Sequence, residues 1–285
     1  MREAAAVLAR AAAAGTTVSI GREGGDVLLS TDRLDRLVEH EAGDLTCTVE
    51  AGIRLSELNR RLAEHGQMLA LDPPGDPTIG ACIAANLSGP RSQRYGGPRD
   101  LLLGVTVVLG DGLVASSGGK VVKNVAGYDL GKLFCGSEGR LGLVARASLR
   151  LHPRPEAGRT LVVPVEEAGE ALRLLGELAR SQLVPSAVDL LWPGKLCVLF
   201  EGSARAVEVQ VEAAWALLGG AEGDPWAEVL AFQATCGGRV PFDATLAGAR
   251  LVRGRTAYVV AAAEPAWSPL AERVRAALDP AGVLV

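Results

Sequence analysis

Apolar and polar residues alternate along several stretches of the first half of the chain. Between Leu141 and Leu151, apolar side chains occupy every second position, and polar residues at 146, 148 and 150 lie between them. A period of two is typical of a strand with one buried face. An Asp-Gly pair after the apolar run 101–109 also predicts a hairpin. The strands predicted in this half are residues 16–20, 26–29, 45–51, 101–109, 113–115 and 141–151.

Other segments carry the spacing and end signals of helices. An Ala-rich segment at the start predicts a first helix that ends at Gly15. Residues 55–65 place leucines at helical spacing, and Gly66 supplies the stop. Thr78 is the predicted N-cap of a short buried helix. Helices mixed with mainly antiparallel strands indicate an α+β fold.

Two prolines in the run 152–155 interrupt both helix and strand, and they predict a domain boundary. We therefore divide the chain into residues 1–153 and a C-terminal α+β domain of residues 154–285. The elements predicted in the second part are strands at 160–165, 196–200 and 257–262, and helices at 167–183, 204–218 and 270–278.

Composition narrows the class of protein. Of 285 residues, 48% are hydrophobic and 22% are charged, which is typical of a globular chain with a core. The net charge is −4 and there is no basic block, so we expect no nucleic-acid partner. The longest uncharged run, Pro77–Pro90, is too short and too polar to span a bilayer. We expect no transmembrane segment and a cytoplasmic protein, peripheral to the inner membrane at most through a complex.

Metal and catalytic signatures are weak. The five cysteines contain no C-x-x-C spacing, so the sequence predicts neither a zinc site nor an iron–sulfur cluster, and free thiols are the simplest interpretation. The three histidines (His40, His65 and His152) are far apart in polar contexts, and we expect them to be solvated. The sequence identifies no catalytic residue and no metal site.

Glycines are dense between Gly75 and Gly142, which is typical of a backbone that approaches a ligand. Two segments fit an anion. The loop Gly21–Gly25 could offer a nest of amides to a pyrophosphate, or be a plain hairpin turn, and the segment alone favours the turn. The free N–H groups of a helix beginning after Thr78 would suit a phosphate, but a capped core helix explains the same residues equally well.

A longer string of motifs is more specific. It comprises Asp72-Pro73-Pro74, Thr78-Ile79-Gly80, Asn86, Ser88-Gly89-Pro90-Arg91, Tyr95-Gly96, Arg99-Asp100-Leu101, the run Gly118–Leu130 (GGKVVKNVAGYDL), Lys132-Leu133-Phe134, Gly136-Ser137-Glu138-Gly139 and Leu141-Gly142. This string resembles the FAD-binding domain of the vanillyl-alcohol oxidase/p-cresol methylhydroxylase superfamily. Within it, the string is most similar to the FAD-binding E subunits of bacterial glycolate oxidases, and the resemblance covers residues 15–155 well.

The resemblance implies a fold and a set of cofactor-binding residues. Two small α+β subdomains would hold non-covalent FAD between them, followed by a reduced α+β cap domain. By position, the first pyrophosphate loop would be Gly21, Gly24 and Gly25, and the second Thr78, Ile79 and Gly80, with Pro74 just before it. The flavin side would be lined by Asn86, Ser88, Gly89 and Tyr95, and the ribityl and adenine portion by Gly136, Ser137, Gly139, Leu141, Gly142 and Val144.

Two departures from the family pattern bear on the cofactor. The first loop is short, with only residues 21–27 between Ile20 and Leu28, and Ala81 stands where a second glycine is common. Both changes are of a kind that would weaken or abolish binding of FAD. The loop contains no histidine, so no histidyl–flavin bond is expected.

By resemblance, the chain is an FAD-binding subunit of a glycolate oxidase-type 2-hydroxy-acid dehydrogenase complex, with a larger flavoprotein and an iron–sulfur subunit as partners. Relatives handle substrate with a histidine- and carboxylate-rich cluster in the C-terminal domain, whereas this chain has no histidine after His152. We therefore expect an accessory subunit. The alternatives are an assembly subunit that has lost FAD and a self-sufficient flavin oxidoreductase, and the missing histidines count against the second.

Overall fold

The computed structural model describes residues 1–21, 24–120, 129–242, 246, 248–260 and 268–285. Part of the predicted first loop, most of the motif between Gly118 and Leu130, and the end of the strand predicted at 257–262 lie outside these ranges.

Helices and strands alternate throughout the part of the chain that the structure describes. The helices are α1 (Arg2–Ala14), α2 (Leu55–Ala63), α3 (Ile79–Ala84), α4 (Ser92–Tyr95), α5 (Pro98–Leu101), α6 (Ala168–Arg180), α7 (Ala204–Leu218), α8 (Trp226–Ala234) and α9 (Pro269–Leu278), with 3₁₀ turns at Ala42–Asp44 and Leu130–Phe134. The strands are β1 (Val18–Ile20), β2 (Val27–Leu29), β3 (Leu37–Glu41), β4 (Thr46–Glu50), β5 (Gln67–Met68), β6 (Leu102–Val108), β7 (Val114–Gly118), β8 (Leu143–Arg150), β9 (His152–Pro153), β10 (Ala157–Val165), β11 (Ala187–Leu191), β12 (Gly194–Gly202), β13 (Ala221–Glu222), β14 (Gly238–Pro241), β15 (Ala249–Arg253) and β16 (Thr256–Val259).

The first sheet is antiparallel, in the order β3-β4-β8-β6-β7. The central strand β8 carries the alternating pattern read in the sequence, and its apolar face is buried. Helices α2 and α3 cover that face through Leu58, Leu62, Ile79 and Ile83. The predicted hairpin is confirmed, since β6 pairs with β7.

Strands β1 and β2 form a separate two-stranded sheet and run parallel, with Val18 opposite Val27. A hairpin turn joins antiparallel strands, so the interpretation of Gly21–Gly25 as a plain hairpin turn is wrong. The chain instead returns to the same end of β1 before β2 begins. Gly25 packs tightly there, because a Cβ on it would lie 2.7 Å from the amide nitrogen of Ser19.

The second sheet has the order β13-β10-β12-β11-β15-β16-β14. Its paired strands are antiparallel. Helices α6 and α7 pack on one face around Phe200. On the other face, α8 packs through Val229 against Leu251 and Tyr258. The predicted α+β class is therefore confirmed in both parts of the chain.

The last described segment returns to the first half of the fold. Val274 and Leu278 of α9 pack against the core under the first sheet. Beyond α9, Val18 donates its N–H to the carbonyl of Val283 at 2.7 Å and forms a parallel bridge with Leu284. The Asp279 carboxylate accepts the N–H groups of Val283 and Leu284 at 3.0 and 2.8 Å. The boundary at residue 153 stays a prediction, and residues 268–285 lie with the first domain.

Gly89 tests how closely the segments of the first domain approach one another. A Cβ at this position would lie 1.7 Å from the carbonyl oxygen of Asp72, so Gly89→Ala must displace backbone. We expect this variant to lose roughly 1–3 kcal/mol of unfolding free energy or more, since overpacking against rigid atoms is costly. Urea unfolding would measure the loss.

Gly169→Ala is the matched control, because a Cβ added at this position of helix α6 would meet no atom within 4 Å. Alanine there should leave stability unchanged or raise it by about 1 kcal/mol. Equal stability of the two variants would contradict the close approach at Gly89.

Candidate functional site

A cavity of about 750 Å³ lies where β1, α3 and the beginning of β8 meet. Its size is that of a pocket for a large organic ligand. Its walls combine glycine, alanine and apolar side chains with a few charged groups. The lining residues are Ile20, Gly21, Leu28, Ser30, Thr31, Asp32, Arg54, Pro77, Thr78, Gly80, Ala81, Ala84, Ala85, Leu87, Glu138, Gly139, Gly142, Leu143 and Val144.

Helix α3 forms one wall, and its first turn is held by the protein itself. The Thr78 hydroxyl accepts the N–H of Ala81 at 3.2 Å, which confirms the predicted N-cap. The N–H of Ile79 donates to the carbonyl of Ile53 at 3.0 Å, and that of Gly80 to the carbonyl of Ala51 at 2.6 Å. Of the two interpretations that the sequence left open, the structure has a capped helix whose first amides donate to the chain after β4.

Gly80 has a packing reason to be glycine. A Cβ on it would lie 3.0 Å from both the carbonyl oxygen and the Cβ of Ala51. The small residue lets α3 approach the turn after β4, and a valine at this position would test that contact rather than contact with a ligand. The exposed small residue Ala81, one position further, faces the cavity.

The segment after the 3₁₀ turn at Leu130–Phe134 is tied to the end of α3. Gly136 donates its N–H to the carbonyl of Ile83 at 3.0 Å, and Glu138 donates to Ala84 at 2.8 Å. Ser137 is buried and donates its hydroxyl to the carbonyl of Phe134 at 3.0 Å. These bonds hold Gly139, which has a positive φ of 81°, against the cavity.

Asn86 follows α3 in a strained conformation. Its φ is +47°, in the left-handed region that few non-glycine residues adopt. Its side-chain Oδ1 is buried without a hydrogen-bond donor. Buried polar atoms are nearly always satisfied, so this one indicates a missing partner. Asn86 and Ser88 line a second cavity, of about 520 Å³, between the first domain and the second sheet.

The predicted site residues divide into those that line a cavity and those that support its walls. Gly21, Thr78, Gly80, Gly139, Gly142 and Val144 line the first cavity, and Asn86 and Ser88 line the second. Gly24, Gly25, Pro74, Ile79, Gly89, Tyr95, Gly136, Ser137 and Leu141 are not among the residues that line these two cavities. Among the second group, Ile79 and Leu141 are core residues and Ser137 is buried.

An ionic network joins the two domains beside these cavities, and sequence reasoning missed it. The Arg91 guanidinium binds the buried Glu201 carboxylate of β12 through both Nε and Nη2, at 2.7–3.2 Å. Arg94 donates to the carbonyl of Glu201 at 2.6 Å and to the Ser186 hydroxyl at 3.1 Å. The Asp72 carboxylate accepts the N–H of Arg91. The sequence signal that could have indicated this network was Glu201, a single carboxylate in the largely apolar strand β12.

The expectation of solvated histidines is wrong for His152. Its ring is half-buried, stands 4.9 Å from that of Tyr95, and has a buried Nε2 without a partner. Burial lowers its pKa. His40 and His65, distant in sequence, place their rings 4.8 Å apart. His40 Nε2 lies 2.9 Å from Gln67 Oε1.

The described part of the chain contains neither a metal-binding cluster nor a membrane-spanning helix. No group of three or more histidine, cysteine, aspartate or glutamate side chains there could hold a metal ion. No helix within the same ranges is long and apolar enough to cross a bilayer. The five cysteines, Cys47, Cys82, Cys135, Cys197 and Cys236, are free thiols.

Solved structures with this fold define its class. The chain superimposes on alkyldihydroxyacetonephosphate synthase with a TM-score of 0.72, at 15% identity, over 99% of this chain and 73% of that one. A second structure of that enzyme gives a TM-score of 0.65 at 18% identity, over 79% and 51%. The fold is therefore of the vanillyl-alcohol oxidase/p-cresol methylhydroxylase type, as the resemblance predicts.

Residues 2–118 match the model of the family described as an FAD binding domain. These residues, about two fifths of the chain, thus match an FAD-binding domain, and the predicted cofactor FAD is confirmed.

Curated relatives agree with this assignment. Over its matched region, the chain is 36% identical to glycolate oxidase subunit GlcE of Escherichia coli (65% of this chain, 52% of that one) and 36% identical to subunit GlcD of Bacillus subtilis (62% and 38%). It is 35% identical to mitochondrial D-lactate dehydrogenase (cytochrome) 1 of Saccharomyces cerevisiae (55% and 27%). The chain spans about half or less of each relative's length.

The structure's own features fit FAD. The first cavity is large, its walls are glycine-rich and apolar, and the orphaned Oδ1 of Asn86 stands at the end of the helix that forms one wall. Among the described lining residues, Arg54 is cationic, and Asp32 and Glu138 are acidic. The Arg54 guanidinium donates to the carbonyl of Asp76 at 2.7 Å, and its charge is of the sign that would hold a pyrophosphate.

Asp72 makes the interdomain network sensitive to pH. Burial raises its pKa from 3.8 to about 6, although the Arg91 N–H and charge oppose the shift. The folded protein then holds this proton more tightly than the unfolded chain does. The free energy of unfolding that Asp72 contributes should therefore fall as the pH rises from about 4 to 6.

We expect Asp72→Asn to remove this pH-dependent contribution to the free energy of unfolding. The difference in unfolding free energy between wild type and variant should therefore change by roughly 2 kcal/mol between pH 4 and pH 7. Urea unfolding at several pH values would measure it. The exposed Asp44→Asn serves as control and should leave the wild-type profile in place. Parallel profiles for wild type and Asp72→Asn would contradict the burial of a titrating carboxyl group.

Proposed function

We propose that this chain is an FAD-binding subunit of a 2-hydroxy-acid dehydrogenase complex of the glycolate oxidase type. The observation that carries the proposal is the glycine-rich cavity between β1, α3 and β8, within a domain whose family binds FAD. Sequence identity of 35–36% to two glycolate oxidase subunits and to a D-lactate dehydrogenase supports 2-hydroxy acids as the substrate class. The partners would be a larger flavoprotein and an iron–sulfur subunit.

The residues of the chain would hold and orient the cofactor. Gly139 and Gly142 form part of one wall, and the small residues Ala81, Ala84 and Ala85 leave room along the wall formed by α3. Asn86 Oδ1 would accept a hydrogen bond from a group of the bound molecule, which would satisfy its buried oxygen. Bound FAD would supply the two-electron oxidation of a 2-hydroxy acid.

The chain's own composition favours an accessory role. The sequence after His152 contains no histidine, so the second domain cannot supply an imidazole base. His152 itself packs on Tyr95 at 4.9 Å. We therefore infer that substrate oxidation is sited mainly on the larger partner, and that this subunit binds flavin and docks in the complex.

An assembly subunit that has lost FAD is the second candidate, and one observation favours it. The amides of Ile79 and Gly80 already donate to the carbonyls of Ile53 and Ala51. A pyrophosphate at this helix start would therefore find fewer free donors than an open helix N-terminus offers.

The visible absorption spectrum of the purified chain, followed by heat release and identification of the cofactor, separates the two candidates. Released FAD near one per chain is the result expected for the flavin-binding subunit. A colourless protein that takes up no added FAD would favour the assembly subunit. Co-purification at native expression should recover a larger flavoprotein and an iron–sulfur protein, and a chain that stays alone would contradict the complex.

Ala81→Glu tests the first cavity directly. Ala81 is exposed in helix α3 and lines the cavity, so a glutamate there places a negative charge beside the bound pyrophosphate without touching the core. We expect the Kd for FAD to rise by about tenfold or more, since like charges at close range repel strongly. Fluorescence titration of the apoprotein with FAD would measure it.

Ala81→Gln is the matched control, with nearly the same size and no charge, and it should bind FAD more tightly than Ala81→Glu. If both variants retain wild-type affinity, FAD does not pass along this face of α3.

A further inference from the structure

The first sheet has a second face, which α2 and α3 do not cover. On it, cross-strand pairs place Thr48 opposite Ser148 and Arg146 opposite Thr106. Residues two apart along a strand point to the same side of a sheet, so Arg146 and Ser148 of β8 share this face. Ala147, which lies between them, packs in the core under α2 and α3. The sheet therefore separates this polar face from α3, which forms one wall of the first cavity.

A cavity of about 260 Å³ lies on this polar face, and we call it the sheet-face cavity. The backbone of Gly119, just beyond β7, lies over Gly104 of β6, because a Cβ on Gly104 would lie 2.6 Å from the Gly119 carbonyl oxygen. Both glycines line the cavity. Its volume is several times the ~30 Å³ that one water molecule occupies in the liquid. The space is therefore that of a small ligand rather than of a single buried water.

Arg146 lines the sheet-face cavity, and its Nε is buried without a hydrogen-bond acceptor. The carboxylate beside it, Glu50, lies 3.5 Å from its Nη2. Arg36 holds that carboxylate more closely, through hydrogen bonds of 3.0 and 2.8 Å. The Arg36 hydrogen bonds are the main reason that the pKa of Glu50 lies below its usual value, and the charge of Arg146 adds less. Because buried donors are nearly always satisfied, the Arg146 Nε indicates a missing acceptor.

The charges around the sheet-face cavity do not balance. Lys120 pairs with Glu39, and both residues line the cavity. Arg36 and Arg146 share the single carboxylate of Glu50. Within the described part of the chain, three cations therefore face two carboxylates here. The excess positive charge remains at Arg146, which is also the residue whose Nε lacks an acceptor, so the missing partner is an anion.

Hydroxyl groups supply further donors beside Arg146. Thr48 Oγ1 and Ser148 Oγ lie 2.9 Å apart and form a hydrogen bond with each other, and both residues line the cavity. In such a pair one O–H donates to the other oxygen, and the second O–H is left for another acceptor. Donors thus come from a guanidinium and a hydroxyl on adjacent strands. This arrangement suits a tetrahedral oxyanion, which accepts hydrogen bonds from several directions.

We propose that the sheet-face cavity binds a phosphate group, either as free phosphate or as a small phosphomonoester. Arg146 donates to it through Nε, and the Thr48–Ser148 pair donates its remaining hydroxyl proton. Lys120 neutralises Glu39, so that no free carboxylate among the described lining residues repels the phosphate. The site lies on the opposite side of the sheet from α3, and it is therefore separate from the cavity proposed for FAD.

Calorimetric titration of the full chain, with saturating FAD present to occupy the first cavity, tests the ligand class. The probes are inorganic phosphate, phenyl phosphate and acetate at equal ionic strength. We expect a Kd for phosphate of about 1 mM or lower, and binding of acetate at least about tenfold weaker, since acetate carries one charge and fewer acceptor oxygens. Tighter binding of phenyl phosphate than of phosphate would assign the site to a monoester, and the reverse order to the free ion. Acetate that binds as tightly as phosphate would overturn the proposal.

Arg146→Gln tests the central contact. It should weaken phosphate binding by about tenfold or more, because a charge-assisted hydrogen bond is lost. Arg150→Gln is the matched control, because Arg150 is an exposed arginine of the same strand that is not among the described lining residues. It should leave the affinity unchanged. Equal weakening by the two variants would mean that only the general surface charge matters, and would overturn the site.

Two further variants keep the test independent of any loss of folding. Arg146→Lys retains the charge but removes the Nε donor, and Ser148→Ala removes one hydroxyl, so each should weaken phosphate binding several-fold. Wild-type affinity in both would contradict the proposed contacts. Glu50 keeps its hydrogen bonds to Arg36 in every variant, so unfolding temperatures and FAD content should match wild type. A wild-type chain that binds FAD but neither phosphate probe overturns the site and leaves the proposed function standing.

Discussion

The ion pair between Arg91 and Glu201 is the contact on which the arrangement of the two domains depends. The carboxylate is 3% exposed and its partner binds it with two nitrogens. Loss of the arginine would leave a buried charge unpaired, at a cost of about 3–5 kcal/mol. The pair itself lines a further cavity of about 660 Å³, and the second cavity borders residues 86–93 of the same segment. The surfaces between the domains therefore share one electrostatic support.

Much of the fold could be predicted because its signals are local. The alternation in β8, the Thr78 cap and the leucine spacing of α2 each depend on neighbours in the chain, and the structure bears them out. Strands β11 and β15 escaped prediction because they are short and largely apolar without a regular alternation, a pattern that does not distinguish strand from buried helix. The parallel pairing of β1 with β2 depends on the rest of the fold, which no turn signal encodes.

The candidate site was predictable to a lesser degree, and for a physical reason. The glycines indicated segments that lie at the first cavity, but the sequence cannot show which atoms lie beside each glycine. Gly89 and Gly25 meet the backbone of Asp72 and Ser19, whereas Gly21 and Gly139 face the cavity. The second cavity could not be predicted from the sequence, because its lining residues are far apart in the chain. They come from strands β14, β15 and β16 and from a segment more than a hundred residues earlier.

Residues 283–285 lie beside β1, so the strands of the second sheet come, in the sequence, between two segments that meet at Val18. Val18 of β1 lies between Val27 of β2 on one side and Leu284, more than 250 residues later in the sequence, on the other. Such long-range closure slows folding, because the intervening chain must be ordered before the contact repays its entropy. A fragment cut at the apparent linker after Pro153 would retain the glycine-rich motifs and still lack one edge of the sheet that supports them.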